Sequence, residues 1–230
     1  MATYDTKLIS RKQVADGTTE FTLTRPENLE YRAGQFADFA LSGSQATAQS
    51  VGTHCFSFVS APFEAHLCID TRMRDSAFKN AMRDMPDGGA MQFDGPFGDF
   101  TLHKNDAVPA VFVIGGIGIT PVRSMIAQAL HEGSGHHLTL LYANGTPTLA
   151  AFADELQQLA EQHANFRFVP VYSATDGHIN AATIKQHVGD IAGSKYYLSG
   201  PEGMVKAMRA LLLDVGADED NLRTEEFDGY

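Results

Sequence analysis

Gly115, Gly116 and Gly118 follow directly on the apolar run Val111 to Ile114 and lead into a helical pattern beginning at Pro121. Glycines at that spacing let a strand-to-helix turn bring its backbone N–H groups against a negatively charged ligand, with the positive end of the helix behind them. Thr120 is expected as the N-cap and Pro121 as the first helical residue. The ligand this chemistry points to is a diphosphate; a tight turn without a ligand is the other reading of the segment. At the end of the next apolar stretch, where a dinucleotide fingerprint places an acid for a ribose 2′-hydroxyl, stand Tyr142, Ala143 and Asn144. No arginine stands there for a 2′-phosphate, which leans towards NADH over NADPH.

Other chemistries find less support. His54, His103 and His178 are scattered without metal-ligand spacing, so no metal site is expected, and no strained nucleophile elbow occurs. Two cysteines, Cys55 and Cys68, cannot supply four thiolates to an iron–sulfur cluster and argue for a reducing compartment. A formal net charge of -11, from 17 Lys and Arg against 28 Asp and Glu, disfavours a nucleic-acid surface. The start MATYDTKLIS shows no apolar targeting segment, and no 18-residue apolar run follows. The expectation is a cytoplasmic protein without membrane insertion.

The elements that must position the glycine turn fall into two lobes. Up to Leu102 the chain reads as short strands separated by turns: Glu20 to Arg25, Phe36 to Leu41, Cys55 to Ser60, His66 to Arg72 and Ala90 to Pro96. That punctuation favours a small barrel or sandwich. The polar stretch Ser42 to Gly52 reads as a mobile loop, and Ser76 to Met85 as one helix among the strands. After His103 to Pro109, strands and helices alternate: Val111 to Ile114, Pro121 to His131, Leu138 to Tyr142, Leu149 to His163, Arg167 to Val171, Ala181 to Val188, Lys195 to Leu198 and Glu202 to Val215. Continuous apolar strands between helices predict a parallel sheet covered on both faces. The expected domains are residues 1–103 and 108–230.

The segments HCFSFVS (His54 to Ser60), GPFGDFTL (Gly95 to Leu102), GGIGITP (Gly115 to Pro121), YANGTPTLAAFADEL (Tyr142 to Leu156), YYLSGPEGM (Tyr196 to Met204) and the final EEFDGY occur in an order and spacing that resemble the ferredoxin–NAD(P)+ reductase superfamily over nearly the whole chain. The resemblance implies two domains: an N-terminal antiparallel six-stranded β-barrel that binds flavin, and a C-terminal α/β parallel-sheet domain that binds NAD(P). It implies a flavin-dependent oxidoreductase with FAD, or alternatively FMN. Hydride passes from NAD(P)H to flavin, then single electrons to a separate acceptor such as ferredoxin or flavodoxin. A flavin- or nucleotide-binding regulatory subunit without turnover, and a reductase of free flavin, quinone or ferric chelate, are the rival functions.

The resemblance also implies site residues. The family's Arg-x-Tyr-Ser pattern falls on His54, Cys55, Phe56 and Ser57, in which Phe56 packs on the flavin ring and Ser57 lies near its N5. His54 departs from the pattern, because a neutral imidazole offers one donor where guanidinium offers a charged fork. The second flavin-phosphate segment falls on Thr71 to Lys79, with Thr71, Arg72 and the backbone of Ser76, Ala77 and Phe78 facing phosphate. Asp75, Ser76 and Lys79 depart from the usual residues there, and Asp75 can serve simply as an N-cap. Gly116, Gly118, Ile119 and Thr120 are placed against nicotinamide and diphosphate, with Asn144 and Thr146 near the nucleotide and Gly200 and Met204 in the loop beside the nicotinamide. Phe152 matches a position near the nucleotide, or is helix core. Ser199 stands where many relatives carry cysteine close to nicotinamide C4. Phe227 aligns with the aromatic that covers the flavin, with Tyr230 as the other candidate. Ser57, Ser199 and Phe227 are thus the expected catalytic residues. Arg72, Arg74, Lys79 and Arg83 form a locally positive stretch suited to docking an acidic electron carrier, or else a solvated face.

Overall fold

Alternation along Phe36–Leu41 puts Ala37, Phe39 and Leu41 inward, the pattern of a strand with one buried face. Its neighbours repeat the device. In the computed structural model, which describes residues 2–42 and 52–227, the first half contains β1 (Ala2–Ala15), β2 (Thr18–Leu23), β3 (Phe36–Leu41), β4 (Thr53–Ser57), β5 (Leu67–Arg72), helix α1 (Ala77–Asp84) and β6 (Ala90–Phe97). The six strands form one sheet in the order β4-β3-β6-β1-β2-β5, with every pairing antiparallel. A bridge between Phe58 and Ile69, with the Val59 N–H donating to the Cys68 carbonyl at 2.9 Å, joins the two sheet edges and closes the barrel. Phe21, Phe39, Phe58 and Phe93 fill its interior, and α1 plugs one end with Phe78 and Met82. Burying each such side chain contributes roughly 1.5–3 kcal/mol.

Strand β7 (Ala110–Gly115) is buried throughout, and its alternate residues serve two cores. Ala110, Phe112 and Ile114 pack into one, beneath α2 (Ile119–His131) and α3 (Ala153–Gln162); Val111 and Val113 pack into the other, beneath α4 (Ala181–His187) and α5 (Glu202–Asp214). Around β7 run β8 (Leu138–Asn144), β9 (Phe166–Tyr172), β10 (Lys195–Pro201) and β11 (Leu222–Phe227), giving a five-stranded parallel sheet in the order β11-β10-β7-β8-β9. The expected barrel and doubly covered parallel sheet are both present.

Several local expectations are corrected. Strands β1 and β11 lie outside the strands read from sequence. Thr120 is not the N-cap of α2: a 3-10 turn at Gly116–Gly118 runs straight into the helix, Gly118 occupies the cap with helical angles, and the Thr120 hydroxyl donates to the Ile117 carbonyl at 3.0 Å. Asp75 does not cap α1; Ser76 does, accepting from the Lys79 N–H, while Asp75 accepts from the Asn80 amide. Helix α3 begins at Ala153, because Phe152 is left-handed at φ 61 and separates it from a 3-10 turn at Pro147–Leu149. Most of the loop read at Ser42 to Gly52 lies outside the described residues, as does Tyr230. No helix among the described residues is long and apolar enough to cross a membrane.

Candidate functional site

Where the barrel meets the parallel sheet, one cavity of about 130 Å3 draws its walls from both lobes. Strand β4 contributes His54, Cys55, Phe56 and Ser57; β5 contributes Asp70, Thr71 and Arg72; Arg74 comes from the loop before α1 and Lys79 from its first turn; and Ile117, Thr120 and Phe227 come from the second lobe. Residues more than 100 positions apart thus meet at a single cleft.

The glycine turn forms its second-lobe wall. Gly116 has φ 55, and a Cβ there would lie 3.6 Å from the Arg72 guanidinium, so barrel and turn approach each other at this point. Tyr142, fully buried on β8, donates its hydroxyl to the Gly116 carbonyl at 3.1 Å and fixes the turn from below. A Cβ on Gly118 would stand 2.5 Å from the Ser199 carbonyl, which leaves no room for any other residue. This close approach brings Ser199 and Gly200 of β10 against the turn, and Met204 of α5 packs on Gly115. Ser199 is fully buried, and its hydroxyl has no hydrogen-bond partner. Both amide atoms of Asn144, at the end of β8, are likewise buried and unpartnered. Such orphaned groups carry a cost of roughly 1–3 kcal/mol each unless a ligand or water meets them.

On the barrel side, His54 lies with its ring centroid 4.3 Å from Phe78, and Phe78 lies 5.9 Å from Phe56. Burial and the neighbouring Lys79 ammonium push the His54 imidazole below its ordinary range, so it is neutral. Positive charge in the cleft therefore comes from Arg72, Arg74 and Lys79 instead; the Lys79 ammonium also donates to the Arg72 carbonyl at 2.7 Å. Cys55 is pushed up to about 12 by desolvation of its sulfur and by the Asp38 and Glu225 carboxylates, which keeps it an unreactive thiol.

Some expected residues stand apart from the cleft. The Ile119 side chain is in the sheet core, leaving only its backbone near the turn. Phe78 belongs to the barrel core, and Ser76 and Ala77 offer backbone at the start of α1. Thr146 caps the 3-10 turn beyond β8 and meets Thr148 at 3.1 Å. The positive stretch divides: Arg72, Arg74 and Lys79 line the cleft, whereas Arg83 is exposed and paired with Asp84 at 3.0 Å.

Two acids escaped the sequence reading. Glu225 of β11 is the register partner of Ser199, and burial followed by the Asp99 carboxylate raises it to about 7, with one oxygen unpartnered. Asp70 lines the cleft with neither oxygen partnered. Nothing local in EEF or DTR signals that these carboxyls are buried, although the resemblance at EEFDGY marked Phe227, two residues from Glu225.

The family described as "Oxidoreductase NAD-binding domain" matches residues 112–210. The "Phenol hydroxylase P5 protein" of Acinetobacter pittii (strain PHEA-2) is 24% identical over 97% of this chain and 65% of its own length. "Phenol 2-monooxygenase, reductase component DmpP" of Pseudomonas sp. (strain CF600) is 26% identical over 89% of this chain and 59% of its own. The chain thus spans less than two thirds of these relatives. Among solved structures, a ferredoxin NADP+ reductase from Neisseria gonorrhoeae with bound FAD and NADP superposes with a TM-score of 0.82 at 21% identity, covering 97% of this chain and 98% of that one. The flavohem-like FAD/NAD binding domain of nitric oxide dioxygenase from Vibrio cholerae O1 biovar El Tor gives 0.81 at 22% identity, with the same coverage of each. Residues 112–210 thus match an oxidoreductase NAD-binding domain, and the two-lobed chain that contains them has the same fold as these FAD- and NAD(P)-binding structures.

Proposed function

We propose that this chain is an NAD(P)H-dependent flavoprotein reductase, with FAD against β4 and β5 and the coenzyme against the Gly116–Thr120 turn. The observation that carries the reading is the Gly118–Ser199 contact beside the interlobe cleft: it sets a buried, unpartnered hydroxyl next to a glycine turn that faces barrel residues. When bound, the flavin accepts hydride from NAD(P)H and passes electrons singly to a separate acceptor.

The chain's own residues supply binding and alignment. Unpartnered Ser199 and Asn144 fit the polar groups of a nucleotide, and Arg72, Arg74 and Lys79 fit the phosphates that a neutral His54 holds less well. Ser57 presents a buried hydroxyl on the opposite wall. Tyr142 keeps the turn in place, so that the reacting atoms can be held at about 3–3.5 Å. Phe227 occupies a wall of a cavity well below the roughly 300–1,000 Å3 of ordinary ligand sites, so its ring must shift for two rings to stack.

NADH is the favoured coenzyme. Asp176, whose carboxylate accepts from the Tyr172 N–H at 2.8 Å, and Asp154 put negative charge near the end of β9, hostile to a 2′-phosphate. The acceptor is a soluble electron carrier such as ferredoxin or flavodoxin, or an oxygenase partner of the kind that the relatives' names imply. The reading places the chain in the cytoplasm.

Visible spectra of FAD-reconstituted protein test the proposal: anaerobic NADH bleaches the flavin bands if it holds. Neutral His54 also favours a second reading, a flavin-binding subunit without turnover, which gives flavin bands that NADH leaves unbleached. Stopped-flow comparison of NADH with NADPH then settles the coenzyme.

A further inference from the structure

Asp70 is 4% exposed on β5, and neither carboxyl oxygen has a hydrogen-bond partner. Burying the ion this way costs far more than burying the acid. Burial therefore holds Asp70 well above the usual carboxylate range, with the Glu20 carboxylate adding to the shift, the Arg123 guanidinium opposing it and the Glu155 carboxylate adding further.

 Its register partner across β2 is Glu20. Opposed residues of an antiparallel pair project to the same face with Cβ atoms about 4.5–5.5 Å apart.

The two acids front different spaces. Asp70 lines the interlobe cleft beside Arg72, Thr120 and Phe227. Half-buried Glu20 lines a separate groove of about 570 Å3 with Lys12, Glu64, Arg123 and Glu155. Burial raises Glu20 as well, with Arg123 and Lys12 opposing and Glu155 and Glu64 adding to the effect. An inner acid and an outer acid thus stand side by side between cleft and groove.

Resting on the reductase reading above, we propose that Asp70 and Glu20 form a two-carboxyl proton path from the interlobe cleft to the outer groove. Each NAD(P)H oxidised through two single-electron transfers leaves one proton over. That proton adds to the carbonyl oxygen of the Asp70 carboxyl and, once side-chain rotation brings the two carboxyls into hydrogen-bond range, the Asp70 O–H proton passes to the Glu20 carboxylate. Glu20 then releases a proton to water in the groove. Only O–H bonds form and break, both carboxyls return to their starting states, and the electrons go to the acceptor. The charged groups facing the pair are Arg123 of α2, Lys12 of β1, Arg72 of β5, Glu155 of α3 and Glu64 of the loop after β4. Tyr142 of β8 is raised by burial and stays protonated.

Two measurements on the full chain test the path. In flavin-free protein with 13C-labelled carboxyls, Glu20→Gln lowers the Asp70 titration midpoint, because a like charge is removed; an unmoved midpoint overturns the pairing. In FAD-reconstituted protein reduced by NADH and reoxidised by ferricyanide, a pH-indicator dye reports proton release alongside the flavin bands. Asp70→Asn and Glu20→Gln should each delay proton release behind electron loss by at least about tenfold, and the double variant no further. Release that keeps pace with the electrons in Glu20→Gln, the variant on the more exposed side, overturns the path even if Asp70→Asn fails to fold. Failure of the wild type to bleach would instead remove the reductase reading, and the titration alone would then decide the pairing.

Discussion

Ser199 and Glu225 are register partners on adjacent parallel strands, so a buried hydroxyl without a hydrogen-bond partner stands beside a carboxyl raised to about 7. The folded pKa of Glu225 lies above its ordinary 4.5, so the folded state holds the proton where the unfolded chain has lost it. Stability from this group therefore falls as pH rises from about 4.5 to about 7, by on the order of 3 kcal/mol in total. Urea denaturation across that window should show the decline in the wild type and a flatter profile in Glu225→Gln. Equal profiles would mean that Glu225 ionises normally.

Ser199→Ala should slow hydride transfer by on the order of tenfold, about 1.4 kcal/mol of barrier, while flavin retention is unchanged. Stopped-flow bleaching measures the first and gel filtration with absorbance the second. Loss of flavin with an unaltered hydride step would remove Ser199 from the coenzyme site.

Gly118→Ala forces a methyl into the Ser199 backbone and should cost about 1–3 kcal/mol together with coenzyme affinity. Gly203→Ala in α5 meets nothing within 4 Å and should be neutral or stabilising by up to about 1 kcal/mol. Thermal melts of the two variants, with and without NADH, separate close contact from simple backbone entropy.

Asp176→Ala should reduce the preference for NADH over NADPH, read as the ratio of their kcat/KM values, by about tenfold. Because Asp176 also accepts from Tyr172 and Thr175, a melt must accompany the kinetics. An unchanged ratio in a stable variant would place the ribose elsewhere.

The parts legible in the sequence were those with a local cause. Val111 to Ile114 is continuously apolar because both sheet faces are covered, and two of the glycines after it are required by the left-handed φ of 55 at Gly116 and by the close approach of Ser199 to Gly118. Strand β1 was hidden because only Thr6 and Leu8 of its 14 residues are buried, which erases the alternation that marks a strand. Strand β11 was hidden similarly, as a glutamate-bearing edge with no fully buried residue. Thr120 misled because a Thr-Pro pair suits a helix start, whereas the 3-10 turn before it had already supplied one. Asp70 and Glu225 could not be found from neighbours in sequence, since a carboxyl becomes buried only when distant strands enclose it.

Arg123 of α2 pairs with Glu64 of the barrel and with Glu155 of α3, while Ser124 donates to the Ser60 carbonyl at 2.7 Å. This clasp resists any hinge-like parting of the lobes, since opening them would strand a guanidinium that is largely shielded from water. Entry to the cleft is therefore cheapest at its far margin, where a single ring at the end of β11 can swing aside and the two halves stay locked.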